Sequence, residues 1–229
     1  VNRSNLLGGS SASPAGGAAS VGRLSAAAQS RASSTVGFTN ALPMEGPGWA
    51  GTAPIVIEGQ VPPPGVFPTT RGNKFVSPGY FEAMGTRLIA GREITWSDIE
   101  AGGRVVVISE SFAREIAGEP AAALGKRIRT FVETDSWREI VGVVQGIHEN
   151  GLYADAPDFV YFPVLLKDMW GTPMAGTTNI AFTIRSERAG TASFTDEVRQ
   201  AIWSVAPGVA VTHTRTMSDL YAGSLERTS

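Results

Sequence analysis

Residues 137–152 read WREIVGVVQGIHENGL, and the centre of that stretch, Ile140-Val141-Gly142-Val143-Val144, is the strongest β signal in the chain. β-branched residues in a run too short for a helix read as a buried strand. Gly142 inside the run marks a close approach of another backbone. Upstream, Arg104 to Ile108 (RVVVI) is a second apolar run of strand length, the pattern of a strand covered on both faces. Ser109 then starts a helix as its N-cap, with Phe112, Ala113, Ile116 and Ala117 on one side. Arg127–Val132 and Phe159–Val164 read as further strands around this pair.

Working outward toward the N-terminus, Ser77-Pro78 reads as an N-cap followed by proline in the first helical turn. That helix runs through Tyr80, Phe81 and Met84 and stops at Gly85, which supplies a positive φ. Leu88-Ile89 is a short strand, and Thr95 or Ser97 caps another brief helix. Asn73–Val76 and Ile55–Ile57 are strands, separated by the stiff Pro62-Pro63-Pro64 connector. Pro43–Pro54 reads as a loop, Ser34–Leu42 as a strand, and Val21–Ser30 as a short helix capped by Ser20. Residues 8–20 are low in complexity.

Toward the C-terminus, Gly171–Thr177 is a Gly/Pro/Thr loop, and Asn179–Arg185 alternates as a strand. Thr191–Val205 is the clearest amphipathic helix, with Phe194, Val198, Ile202 and Val205 on one face. Val209–Thr212 reads as a strand, and Met217–Leu225 as a last helix with Leu220, Tyr221 and Leu225. Helix-then-strand units at both ends, around a different middle, predict an α+β class: a discontinuous α/β-plait domain with an insertion.

Composition narrows the function. The chain has 229 residues, 42% of them hydrophobic, enough for one large domain or two small ones. With 19 basic and 21 acidic residues the net charge is −2, so no nucleic acid is expected as a partner. The absence of cysteine excludes disulfides, thiolate nucleophiles and cysteine zinc sites. No apolar run approaches the roughly 18–20 residues that span a bilayer. The opening, Val1 to Gly17, has no Met and reads either as a processed start or as the start of a fragment of a longer chain.

Four motifs stand in series: VSPGYFEAMGTRLIAGREIT (76–95), VVVISESFARE (105–115), ALGKRIR (123–129) and WREIVGVVQGIHENGL (137–152), followed by DFVYFP (158–163). The flanks VGFTNALPMEG (36–46) and VRQAIWSVAPGVAVTHTRTMSDL (198–220) agree with them. In order and spacing this series resembles the MacB-like periplasmic core domain of FtsX/MacB-type ABC-transporter permeases, and is similar to the duplicated orphan permeases abundant in acidobacteria. The resemblance implies a porter-like α/β subdomain built from residues 1–75 and 178–229, with an inserted mixed α/β (Sabre-like) subdomain at 76–177. It implies a place on the periplasmic side of the bacterial inner membrane. A non-catalytic role is implied, transmitting conformational change and contacting substrate or partner during export. The implied partners are the permease's own membrane helices, a second permease copy or half, a periplasmic adaptor or a peptide or lipid substrate, and a separate ATPase domain or subunit.

The residues themselves carry little chemistry. His148-Glu149 follows the strongest strand, with Asp155 and Asp158 nearby, but the other histidine, His213, is far along the chain, so no metal site or catalytic residue is expected. Ser109-Glu110-Ser111 lacks the flanking glycines of a hydrolase elbow. Gly102-Gly103 precedes a strand instead of opening a helix, so no phosphate cradle or cofactor site is expected. Lys126, Arg127 and Arg129 form a small basic edge. Trp49 and Trp170 sit in Gly/Pro-rich loops with little core work and are the candidate partner contacts. Two rival readings remain: a periplasmic solute- or peptide-binding module with a pocket between subdomains, and a hydrolase built around His148.

Overall fold

The computed structural model describes residues 22–23, 26, 35–45, 50–60, 62–63, 65–132, 134–149, 151, 154–169, 172–176, 180–207 and 210–226. Its strands are β1 (Thr35–Thr39), β2 (Gly51–Ile57), β3 (Thr70–Val76), β4 (Leu88–Gly91), β5 (Val105–Ser109), β6 (Arg127–Thr130), β7 (Arg138–Val144), β8 (Phe159–Pro163), β9 (Leu165–Met169), β10 (Thr172–Gly176) and β11 (Ala181–Arg185). The helices are α1 (Tyr80–Met84), α2 (Trp96–Glu100), α3 (Glu110–Ala117), α4 (Ala192–Val205) and α5 (Met217–Glu226), with a 3-10 turn at Pro120–Ala123.

The order β3-β2-β6-β7-β5-β8 returns to β3 through a parallel β3–β8 pairing. The six strands therefore close on themselves, which leaves no free edge within the ring. β4 pairs with β7, and β1, carrying β11 on its far side, continues from β3. Period-two alternation sorts the side chains between two cores. Ile55, Phe75, Val106, Ile108, Ile128, Ile140, Val160 and Phe162 share one core with Phe112, Ala113 and Ile116 of α3. Val76, Val107, Val144, Phe159 and Tyr161 share the other with Phe38 of β1, Tyr80 and Phe81 of α1 and Ile99 of α2.

β5 is flanked by β7 and β8, as its unbroken apolar run requires. A register shift between β5 and β7 puts both Ile140 and Val143, three residues apart, in the first core. Gly142 sits at that shift. A Cβ there would lie 2.1 Å from the Arg92 carbonyl oxygen, so the close backbone approach expected of it is real. Ser109 caps α3 by accepting the Phe112 amide, and Thr95 with Asp98 forms a full capping box on α2. Gly85 closes α1 at φ 71°.

Several elements differ from expectation. The N-cap of α1 is Gly79 at φ 81°, with no side-chain cap. Ser77 is diverted, because its Oγ accepts the Phe38 amide of β1 at 2.9 Å. β2 begins at Gly51, inside the expected 43–54 loop, because residues 51–54 pair with 70–73 of β3. Residues 172–176, expected as loop, form β10 and pair with β9 as a hairpin; backbone pairing overrides a Gly/Pro-rich composition. No strand forms at 210–212, where the described residues are irregular and largely exposed. Gly22, Arg23 and Ala26 are helical, and the rest of the expected 21–30 helix lies outside the described residues. α4 buries Phe194 and Ile202 of the expected face together with Ala201, while Val198 and Val205 are half-buried. In α5, Leu220 is buried whereas Tyr221 and Leu225 stay largely exposed.

Candidate functional site

After β7 the chain brings Glu149 onto β3. There its Oε2 meets Lys74 Nζ at 2.6 Å, and neither side chain is more than 4% exposed. Lys74 is placed by strand alternation, since it shares a face with Val76 while Phe75 points to the other core. The ammonium also sits 5.2 Å from the centre of the Phe159 ring, a cation–π geometry. Burial pushes the Lys74 amine below its ordinary value, against the pull of Glu149. Burial likewise pushes the Glu149 carboxyl up, against the pull of Lys74. Desolvation therefore outweighs mutual attraction for both partners.

This pair holds more than itself. The Glu149 carbonyl accepts the Met44 amide at 2.8 Å, which pins the turn after β1. The neighbouring Glu45, whose charge also reaches Lys74, pairs with Arg215 at 2.6 Å, just before α5. Asn40 joins the same turn to β3 by accepting the Phe75 amide at 2.7 Å. Tyr80 and Tyr161 complete the surroundings. Both are fully buried, and burial together with the Glu149 charge holds their hydroxyls well above the ordinary tyrosine value.

A second ion pair lies at the other end of β7. Arg138 and Asp135 meet at 2.7 Å with neither side chain exposed. Asp135 also accepts the Thr130 amide and hydroxyl, and Arg138 donates to the carbonyls of Ser136, Lys167 and Asp168. It thus fastens β6, β7 and the β9 hairpin together.

Among the described residues singled out from sequence, His148, Asp158 and Ser109 have separate structural partners. Trp49 and Trp170 lie outside the described residues. His148 is half-buried and uses Nδ1 on the Ala154 carbonyl at 2.8 Å, while His213 and Asp155 are exposed. Asp158 pairs with Arg71 at 3.5 Å. No group of three or more His, Cys, Asp or Glu among the described residues is placed to hold a metal ion. Ser109 accepts the Phe159 amide as well as capping α3, so its hydroxyl is committed to structure. On the basic edge, Arg127 is bound by Glu58, and Arg129 lies over Trp137 while donating to the Val132 carbonyl. Sequence reasoning noted Glu149 only as a neighbour of His148 and missed Lys74. The available signal was a lysine on the same strand face as Val76, where alternation demands an apolar residue.

The MacB-like periplasmic core domain matches residues 11–216 of this chain. The chain belongs to this family. Among solved structures its fold is similar to that of the periplasmic region of MacB from Actinobacillus actinomycetemcomitans, at 17% identity and a TM-score of 0.50, over 82% of this chain and 72% of that one. It is also similar to the extracellular domain of the noncanonic ABC-type transporter YknZ from Gram-positive bacteria, at 16% identity and a TM-score of 0.49, over 80% of this chain and 81% of that one. No curated protein matches. The chain is thus a periplasmic core domain of the MacB/FtsX permease type, a family of transporter permeases. Among the described residues no helix is long and apolar enough to cross a membrane.

Proposed function

We propose that this domain relays conformational change between the membrane part of its permease and the periplasm, and contacts substrate or partner during export. The observation that carries the reading is the pairing of β1 with β11. Five registered residue pairs, Thr35↔Arg185 to Thr39↔Ala181, tie the two distant parts of the chain to each other. β1 then continues into β3 of the closed ring. Displacement of segments that enter and leave the domain would be borne by one hydrogen-bonded sheet and passed on as rigid-body movement. The same pairing supports a porter-like subdomain made from residues 1–75 and 178–229, joined to the inserted 76–177 subdomain through β2 and β3.

In this reading the domain works beside its own membrane helices, a second permease copy, a separate ATPase, and a periplasmic adaptor or a peptide or lipid substrate. Trp49 and Trp170 are the proposed partner contacts. The chain contains no cysteine, so within this domain introduced pairs meet no native thiol. Cysteines that crosslink the periplasmic domains of two copies in the full-length permease should abolish transport until reduced. Transport unchanged in the crosslinked protein would overturn the proposal.

A further inference from the structure

Three polar atoms buried around the Lys74–Glu149 pair make no hydrogen bond to the protein: Glu149 Oε1, the Tyr80 hydroxyl and the Tyr161 hydroxyl. They belong to one cluster. The Phe81 ring packs edge-on against both tyrosines, with centroids 5.3 Å from Tyr80 and 4.9 Å from Tyr161. Phe159 packs against Tyr161 at 5.2 Å and lies beneath the Lys74 ammonium. Both hydroxyls lie within electrostatic reach of the Glu149 carboxylate, and Tyr161 within reach of Tyr80. Buried polar groups are rarely left unpaired, and a buried carboxylate oxygen is among the costliest to leave so. Interiors meet such clusters with an ordered water making about three hydrogen bonds.

We infer that a single ordered water molecule bridges Glu149 Oε1, the Tyr80 hydroxyl and the Tyr161 hydroxyl, and forms part of the buried ion pair. The donor count fits. A carboxylate only accepts, whereas a tyrosyl hydroxyl donates and accepts. The water donates one hydrogen to Oε1, accepts one from a tyrosine, and either gives to or takes from the other. One carboxylate oxygen then meets Lys74 and the other is solvated inside the protein. That solvation offsets part of the burial acting against the Glu149 charge and keeps the residue that pins Met44 in place. Nothing in this inference depends on the transmission reading.

Oxygen-17 magnetic relaxation dispersion on the whole 229-residue chain counts its long-lived waters. Tyr80→Phe and Tyr161→Phe keep the ring packing and should each lower the count by one. Tyr221→Phe, which alters a ring 42% exposed in α5, should leave it unchanged. An unchanged count in both core variants would overturn the inference. A high-resolution crystal structure of the unaltered protein gives an independent reading, should a variant not fold. Density within hydrogen-bond distance of all three atoms supports the water, and a tyrosyl hydroxyl bonded directly to Glu149 sinks it.

Discussion

Arg138–Asp135 and Lys74–Glu149 are both buried ion pairs, at 2.7 and 2.6 Å. The first joins residues three apart in sequence, the second residues 75 apart. Around Arg138 and Asp135 a backbone amide, a hydroxyl and three carbonyls add hydrogen bonds to the second carboxylate oxygen and to both terminal guanidinium nitrogens, while Arg138 Nε is buried without one. Around Lys74 and Glu149 the described residues offer an aromatic face and the more distant Glu45 charge, and one carboxylate oxygen is unpaired. Burial alone therefore does not decide what an ion pair does. A charge pair with many further hydrogen bonds across neighbouring elements acts as a staple, and one with few stays sensitive to its surroundings.

The largest expected effect comes from breaking the staple. Asp135→Ala leaves a fully buried guanidinium without its counter-charge and should cost about 3–5 kcal/mol in urea unfolding. A cost below about 1 kcal/mol would mean that the pair is not the anchor its geometry suggests. Next come the two charge-free replacements. Lys74→Met with Glu149→Leu removes both desolvated charges and should be neutral or stabilising by about 1–4 kcal/mol. Arg138→Met with Asp135→Leu instead strands the Thr130 amide and should destabilise by about 1–3 kcal/mol for each buried group it orphans. Equal outcomes for the two double variants would break the comparison.

A pH series sharpens it. Glu149 has a raised carboxyl value in the fold, so its favourable contribution is full below the unfolded value, about 4.5, and is lost as pH rises through the folded value. Lys74 has a lowered amine value, so the fold loses its proton first, and stability is regained as pH rises toward about 10.5. The advantage of the Lys74→Met/Glu149→Leu protein over the unaltered one should therefore peak between those limits and shrink toward both, as read from urea midpoints at a series of pH values. A flat difference would show that the pair pays no burial penalty. The smallest effect is expected at the rim. Arg215→Ala removes a partly exposed pair with Glu45 and should change stability by about 0–1 kcal/mol. Hydrogen exchange of the 40–45 turn should rise far less there than in Glu149→Gln.

Local pattern made much of the fold legible. β5 and β7 were readable because continuous β-branched runs have few other homes, and the caps, Ser109 and one of Thr95 or Ser97, were readable because a short hydroxyl side chain satisfies a helix start. The errors came where a distant partner took over. Ser77 caps nothing because Phe38 of β1 claims its hydroxyl, and residues 172–176 pair with β9 despite a loop composition. For the site, Glu149 was visible as a carboxylate after a strand, but not as the partner of a lysine on β3.

Taken alone, the amino-acid order determined the strands and helices with the clearest periodicity, the cap at Ser109, and, through the order and spacing of its motifs, the family. Only the tertiary structure decided that six strands close into a ring, that β1 meets β11, and that Lys74 meets Glu149 with two buried tyrosines beside them. The reason is range. Periodicity and capping act over a few residues and leave their mark in neighbouring letters, whereas a contact across 75 residues exists only once the chain between its ends has folded.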